Sequence, residues 1–450
     1  GKTSSLVQRI VNLVVVDAVA VTDIAAITFT EKAAAELRSR VRDVLASESH
    51  PTAAEALDRL DHAPIGTLHA FARRLLFEFP IDAGLPPGFT VLDELESSLA
   101  FEEQWDDLLD RLLDDPDPPG GIVEGGRSFV ELCEFDGFGI QRGARRVAED
   151  FRANWDLVAD RVDLTDPGPV EIDTSGLRAL GERIVATPVP DGDTQAAQIE
   201  RVAALLELGA ADGLRSQLEF VAAADDAFGS WETRRSFPGS KGAWKRAFGS
   251  DGDAALESLR HDEIEFGRTA RELLETARRH RRRVLGAVLG RFVLDAAEQR
   301  AAAGQLEFHD LLVLTRRLLA TRPGVRHLLH HRYQRVLLDE FQDTDPIQLE
   351  IAVRLTSAPD DPDQDADWRG LQPLPGRLFV VGDPKQSIYR FRRADIAQYL
   401  RAADQIGAES VTLSANFRST SAVIDFSNDV FGRLITFEED SQPAFQSLVA

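Results

Sequence analysis

Methionine is absent from all 450 residues, cysteine occurs once, and only five of the 51 basic residues are lysine. A lone Cys133 excludes an intrachain disulfide and any four-cysteine zinc or iron–sulfur site. Between Leu132 and Glu134 in an apolar segment, it reads as a small core hydrophobe. No apolar run approaches the ~20 residues that span a bilayer. No secretory signal is visible either, so the expectation is a cytoplasmic protein with no membrane contact. The missing methionine has no physical account. A first residue of Gly1 suits a sequence that begins inside a longer protein.

A basic excess, the usual footprint of a nonspecific nucleic-acid binder, is also lacking. The balance is 51 basic against 75 acidic residues, a net charge of −24. This leaves local binding open, because a polyanion senses patches within a Debye length of roughly 8–10 Å. The 43% hydrophobic content is ordinary for globular protein. The length suggests about three domains.

Short apolar runs alternate with helical periodicity at both ends of the chain. Residues 24–29 read as a buried strand and 31–45 as a helix, with Ala34, Leu37, Val41 and Leu45 on one face. A second short strand ends at Gly66, and a helix follows over 68–79. Strand then helix, repeated, predicts a parallel sheet covered on both faces. From 93 to 300 strand signals fade and amphipathic helices dominate, as in an insertion. The alternation returns with strands at 335–339, 378–381 and 411–413, and helices at 346–355, 394–406 and 420–435. Residues 357–375 read as an acidic surface loop.

Gly1-Lys2-Thr3 before a helix (3–13) matches the last three positions of the phosphate-binding pattern GxxxxGK[ST]. There the lysine reaches the β/γ-phosphate oxygens and the hydroxyl ligates Mg²⁺. Val336-Leu337-Leu338-Asp339-Glu340 is an apolar strand ending in two acids, at the edge where parallel sheets bind ligand. Asp339 would hold Mg²⁺ and Glu340 would orient the attacking water of ATP. The bland alternative is a pair of acids capping a strand.

The longer string Asp339-Glu340-Phe341-Gln342-Asp343-Thr344 resembles motif II of the UvrD/RecB/AddA group of superfamily 1 DNA helicases. Four further strings agree, in the family's order. The stretch from Thr28 through Phe29, Thr30, Glu31, Lys32 and Ala33 to Ala34 resembles motif Ia, and Gly66-Thr67-Leu68-His69-Ala70-Phe71 resembles motif Ib. Gly382 to Arg392, with Lys385, Gln386, Tyr389, Phe391 and Arg392, resembles motif III, and Asn416-Phe417-Arg418 resembles motif IV. Leu306 to Leu312 resembles the return from the family's insertion, which is itself recognised only by position.

The resemblance implies an α/β fold. A RecA-like parallel-sheet motor domain would occupy 1–92 and 301–400, split by a helical insertion at 93–300. The start of a second RecA-like domain would follow at 401–450. It assigns Gln386 to sensing the γ-phosphate, Arg418 to reaching it, and Phe417 to stacking on adenine, with Gly1, Lys2, Thr3 and Asp339 holding ATP and Mg²⁺. Phe29, Thr30, Thr67, His69, Tyr389, Phe391 and Arg392 would contact single-stranded DNA. Aromatics interleaved with arginines suit a stacked, charged strand. A core Phe29 and a structural His69 are the alternatives. Two positions depart from the common pattern: Arg393 stands where glycine is usual, and Glu31 replaces the Asn of many UvrD-like members, a RecB-like form.

The implied activity is ATP-dependent 3′–5′ translocation on single-stranded DNA, with unwinding of duplex, in recombination and repair. A second helicase–nuclease subunit is the implied partner. The sequence is expected to lack motifs before Gly1 and after Ala450, and so to be inactive alone. The rival is an ATP- or DNA-binding module without motor activity; an unrelated phosphate-loop enzyme would leave motifs III and IV unexplained. In the insertion, Arg234 to Arg246 and Arg278 to Arg283 are basic runs that suit either duplex DNA or a solvated helix face.

Overall fold

The computed structural model describes residues 2–114, 126–234, 236–388, 401, 406–417, 419–438 and 442–449. The first stretch comprises α1 (Lys2–Val15), β1 (Ile24–Thr28), α2 (Glu31–Ser47), α3 (Pro51–Arg59), β2 (Ile65–Thr67), α4 (Leu68–Glu78) and β3 (Thr90–Val91). Nine helices follow among the described residues: α5 (Glu94–Asp114), α6 (Gly126–Glu134), α7 (Arg145–Ala153), α8 (Trp155–Arg161), α9 (Ser175–Ala186), α10 (Gln195–Leu208), α11 (Leu214–Phe228), α12 (Lys241–Phe248) and α13 (Gly252–Ala303). The chain then forms β4 (Gln305–Leu306), α14 (Phe308–Thr321), α15 (Pro323–Arg332), β5 (Arg335–Leu338), α16 (Pro346–Thr356) and β6 (Leu378–Val380), and a later helix, Ser421–Leu434. No described helix is long and apolar enough to cross a membrane.

Two compact units result, Gly1–Asp93 with Arg300–Ala450, and Glu94–Gln299. In the first, four parallel strands lie in the order β2-β1-β5-β6. Their register aligns Thr28 with Thr67, Ile27 with Leu338, and Leu338 with Val380. All four strands therefore end on one edge. Successive side chains alternate between faces. Ile24, Ala26 and Leu337 join Leu6, Ile10, Leu37, Val41 and Leu45 in a core under α1, α2 and α3. On the other face α4 and α16 lie against the sheet, and α14 packs on both helices. The helix α3 has no counterpart in the sequence reading. Pro51 at its first turn and the His50 side chain as its cap start it, and Ala53 and Ala56 bury its inner face.

The chain leaves this unit after β3 and re-enters at β4, and these two strands pair in parallel. Gly304 makes the turn into β4 with φ +69°, and a Cβ there would lie 2.6 Å from Pro86 Cγ. Arg300 anchors the return. Its guanidinium donates to both Asp310 oxygens at 3.0 and 3.2 Å, and Asp310 also accepts from Glu307 N–H at the start of α14.

The second unit has its own core, with Trp105, Phe129, Cys133, Phe220, Phe228, Trp244 and Phe266 buried. Burial pushes the Cys133 thiol up to about 12. Its basic runs are partly structural. Arg278 and Arg281 pair with Asp136, and the Arg281 guanidinium lies over Phe135 and Phe138. In the earlier run Trp244 is core, Arg234 lies over Trp231, and Lys241 pairs with Glu257. Arg279, Arg282, Arg283, Lys245 and Arg246 remain exposed.

One reading needs correction. Residues 411–413 are not a strand; Val411 is 82% exposed, and the nearest pairing is an isolated bridge from Ala415 to Val449. Val411 and Leu413, two apolar residues either side of a threonine, stay exposed and gain nothing by pleating. The acidic stretch 357–375 is ordered by its own aspartates. Asp361 and Asp367 cap two 3₁₀ turns that bury Gln364 and Trp368.

The Arg300–Asp310 pair is 4% and 3% exposed. Asp310→Ala leaves the buried Arg300 with only its longer contact to Glu307 at 3.5 Å, so it is expected to destabilise the fold, toward the low end of the roughly 3–5 kcal/mol that breaking a buried pair costs. Chemical denaturation with a single-transition fit measures this.

Candidate nucleotide and DNA site

The common edge of the parallel strands carries several of the residues singled out by sequence. Backbone bonds fix that edge. Asp339 N–H donates to Ile27 O at 2.9 Å, and Phe341 N–H donates to Val381 O at 2.9 Å. Between them Glu340 adopts φ 49°, ψ 45°, a left-handed conformation uncommon for a residue with a Cβ. This turn lifts the Glu340 carboxylate toward α1.

Lys2, in the first turn of α1, donates to Glu340 Oε2 at 2.9 Å and to Gln386 Oε1 at 3.3 Å. Gln386 Nε2 donates to Asp383 Oδ2 at 2.9 Å. The residue that sequence reasoning left without a role is Gln342, which is 3% exposed. Its Nε2 donates to Glu340 Oε2 at 2.7 Å, and its Oε1 accepts from Asp383 N–H at 2.8 Å. Ser387 Oγ donates to the Gln342 carbonyl at 3.2 Å. An amide two residues beyond the strand-terminal acids was the available signal.

The two acids ionise differently. Burial chiefly raises the Asp339 carboxyl above its usual range, with the Glu340 charge adding to this. Burial also works to raise Glu340, but hydrogen bonds from Gln342 and Lys2 and the lysine's charge outweigh it. Glu340 is therefore held below the ordinary glutamate range. Asp343 is raised by burial and by Glu340. Thr3 is half-buried in α1. The Thr3 hydroxyl and the Asp339 carboxylate are hard oxygen donors of the type Mg²⁺ accepts.

A second group lies beside β1 and β2. Phe29, half-buried, follows β1. Thr30 caps α2, accepting from Ala33 N–H at 3.1 Å, and Thr67 caps α4, accepting from Ala70 N–H at 3.2 Å. The His69 ring stacks on Phe308 with centroids 4.3 Å apart, and Phe308 is 60% exposed. Burial, then the neighbouring His309, lowers His69 to about 4. Phe417 stands 90% exposed. Gly1, Tyr389, Phe391, Arg392 and Arg418 lie outside the described residues, as does most of the expected helix 394–406.

The UvrD/REP helicase N-terminal domain family matches residues 1–407. The chain belongs to that family. Its sheet is accordingly the RecA-type α/β sheet of UvrD-like helicases. Among similar proteins are three that bear the name of the A-type subunit of an ATP-dependent helicase/nuclease. That of Pediococcus pentosaceus is 24% identical, covering 99% of this chain and 38% of its own length. That of Levilactobacillus brevis is 28% identical over 97% of the chain and 37% of its length. That of Desulforudis audaxviator is 30% identical over 97% and 38%. The UvrD-like chain thus spans less than two-fifths of the length of these relatives.

The state of His69 is testable through stability. Its folded-state pKa of about 4 lies below the 6.5 of the free side chain. Between those values the unfolded chain binds the extra proton, so stability is full above pH 6.5 and falls as pH drops toward 4. The slope contributed is up to about 1.4 kcal/mol per pH unit. Denaturation midpoints across this window should fall more steeply for the native sequence than for His69→Phe, which keeps a ring and cannot titrate.

Proposed function

We propose that this chain is the ATP-hydrolysing front part of a DNA helicase that moves along single-stranded DNA, in the 3′–5′ direction, in recombination and repair. The observation that carries this is the convergence of Lys2, Glu340 and Gln386 on one another at the strand edge, from three distant parts of the sequence. Lysine and a strand-terminal acid pair are what phosphoryl transfer needs, because catalysis there is positioning and charge stabilisation.

In this reading Lys2 leaves Glu340 for the phosphates of ATP, and the freed carboxylate orients the attacking water. Glu340 is suited to this because it stays ionised at neutral pH. Thr3 and Asp339 would hold Mg²⁺, which would supply positive charge beside the phosphates. Gln386 reports the γ-phosphate to the DNA side, with Arg418 and Phe417 completing the nucleotide site. Phe29, Thr30, Thr67, His69, Tyr389, Phe391 and Arg392 form the DNA surface. A neutral His69 serves there by stacking or hydrogen bonding, not by charge.

The domain assignment proposed is a first RecA-like domain of 1–92 and 301–400, an inserted helical domain of 93–300, and a second RecA-like domain beginning at 401. The edges of the two compact units support the insertion's limits. Partners are single-stranded and duplex DNA. The relatives' names make each of them one member of a complex, which supports a second helicase–nuclease polypeptide as a further partner. The cytoplasm is the proposed location. A binding module without motor activity is the rival, and it predicts no DNA-stimulated turnover.

ATP hydrolysis by the full-length protein, with and without single-stranded DNA, tests this. DNA should stimulate hydrolysis. Glu340→Gln should lower turnover by at least about 10²-fold, in line with loss of a catalytic base, while ATP binding is retained. Hydrolysis indifferent to both DNA and the substitution would refute the motor.

A further inference from the structure

The carboxylate of Glu31 is not in the nucleotide cluster. It reaches across from α2 to the neighbouring strand–helix junction, where Thr67 Oγ1 donates to Glu31 Oε1 at 2.7 Å. Parallel pairing makes this contact unavoidable. Thr28 and Thr67 are register partners at the ends of β1 and β2, and α2 and α4 both start just beyond them. Glu31 is the first residue of α2 and is exposed. Each helix start carries partial positive charge that favours an anion, and the Glu31 carboxylate is the anion held between the two.

The Thr67 hydroxyl has no proton to spare in this arrangement. It accepts from Ala70 N–H at 3.2 Å and gives its only proton to Glu31. While that bond stands, Thr67 has nothing to donate to a phosphate. A phosphate approaching the hydroxyl also meets a like charge within hydrogen-bond distance of the same atom.

Building on the DNA surface proposed above, we propose that Glu31 weakens and tunes the grip on single-stranded DNA, by competing with a backbone phosphate for the Thr67 hydroxyl. Glu31 is then a positioning residue that acts through Thr67. A strand phosphate binds here only by displacing the carboxylate, and the carboxylate returns when the phosphate moves on. A translocating protein must release each phosphate it holds, and a built-in competitor supplies that release without any change of fold.

Equilibrium binding of a fluorescent oligo(dT) strand by the full-length protein tests this at low and high salt. Glu31→Gln keeps an acceptor for Thr67 and removes the charge. It should bind roughly fivefold more tightly at low salt, the size of one like-charge contact in water, and the gain should shrink as salt screens it. The thermal midpoint should fall slightly, because a charge favoured at the helix starts is lost, while binding tightens; a purely structural tie would lose stability with no gain in binding. In a Thr67→Val background the same substitution should gain less than half as much. In a Thr67→Ser background, which keeps the hydroxyl and the helix cap, the full gain should remain. If Glu31→Gln binds equally or more weakly while the unsubstituted protein binds well, the competition is refuted and the DNA surface stands. Failure of the unsubstituted protein to bind the strand would remove both.

Discussion

The buried amide of Gln342 is the joint on which the site depends. A buried polar group without partners costs about 1–3 kcal/mol, and here the amide's donor and acceptor ends are used on two different strand connections. One end holds Glu340 in its left-handed turn after β5. The other holds the Asp383 turn after β6, which in turn carries Gln386. The carboxylate and the turn bearing Gln386 are thereby fastened to one planar group, so neither shifts without disturbing the other. The strain of the Glu340 backbone persists because this amide and Lys2 together over-determine it.

The neighbouring acids show how environment separates two like groups. Asp339 continues the line of a buried strand and has a desolvated carboxyl. Glu340 is turned out toward a lysine and an amide and keeps its charge. Adjacent carboxyls whose ionisation is driven apart are a usual feature of hydrolytic sites, where one group serves a cation and the other serves water. The His69–Phe308 stack follows the same logic at the other end of the edge. Burial, with His309 beside it, disfavours the charged imidazole.

Much of this was legible in the sequence for a physical reason. Buried parallel strands are short uniform apolar runs, and Ile24 to Ile27 and Val336 to Leu338 are of that kind. The segments that follow them, Thr28 to Glu31 and Asp339 to Gln342, lie at the edge where parallel sheets generally bind ligand. Relations across space were less visible. Nothing local pairs Glu31 with Thr67 or Gln342 with Asp383, because register between strands far apart in sequence makes those contacts. Arg281, one of a solvent-facing run by composition, is turned onto Asp136 and two phenylalanines. The triplet 411–413 misled because apolar residues suggest a strand only when something covers them.

The β3–β4 clamp brings the two ends of the long excursion together within a single unit. Two short strands, one tight glycine turn and one buried ion pair close the gap between Asp93 and Arg300. The register of the strand edge is then set by contacts that lie on the sheet's own side of the closure, so a change in the number of residues between Asp93 and Arg300 need not alter the spacing of that edge.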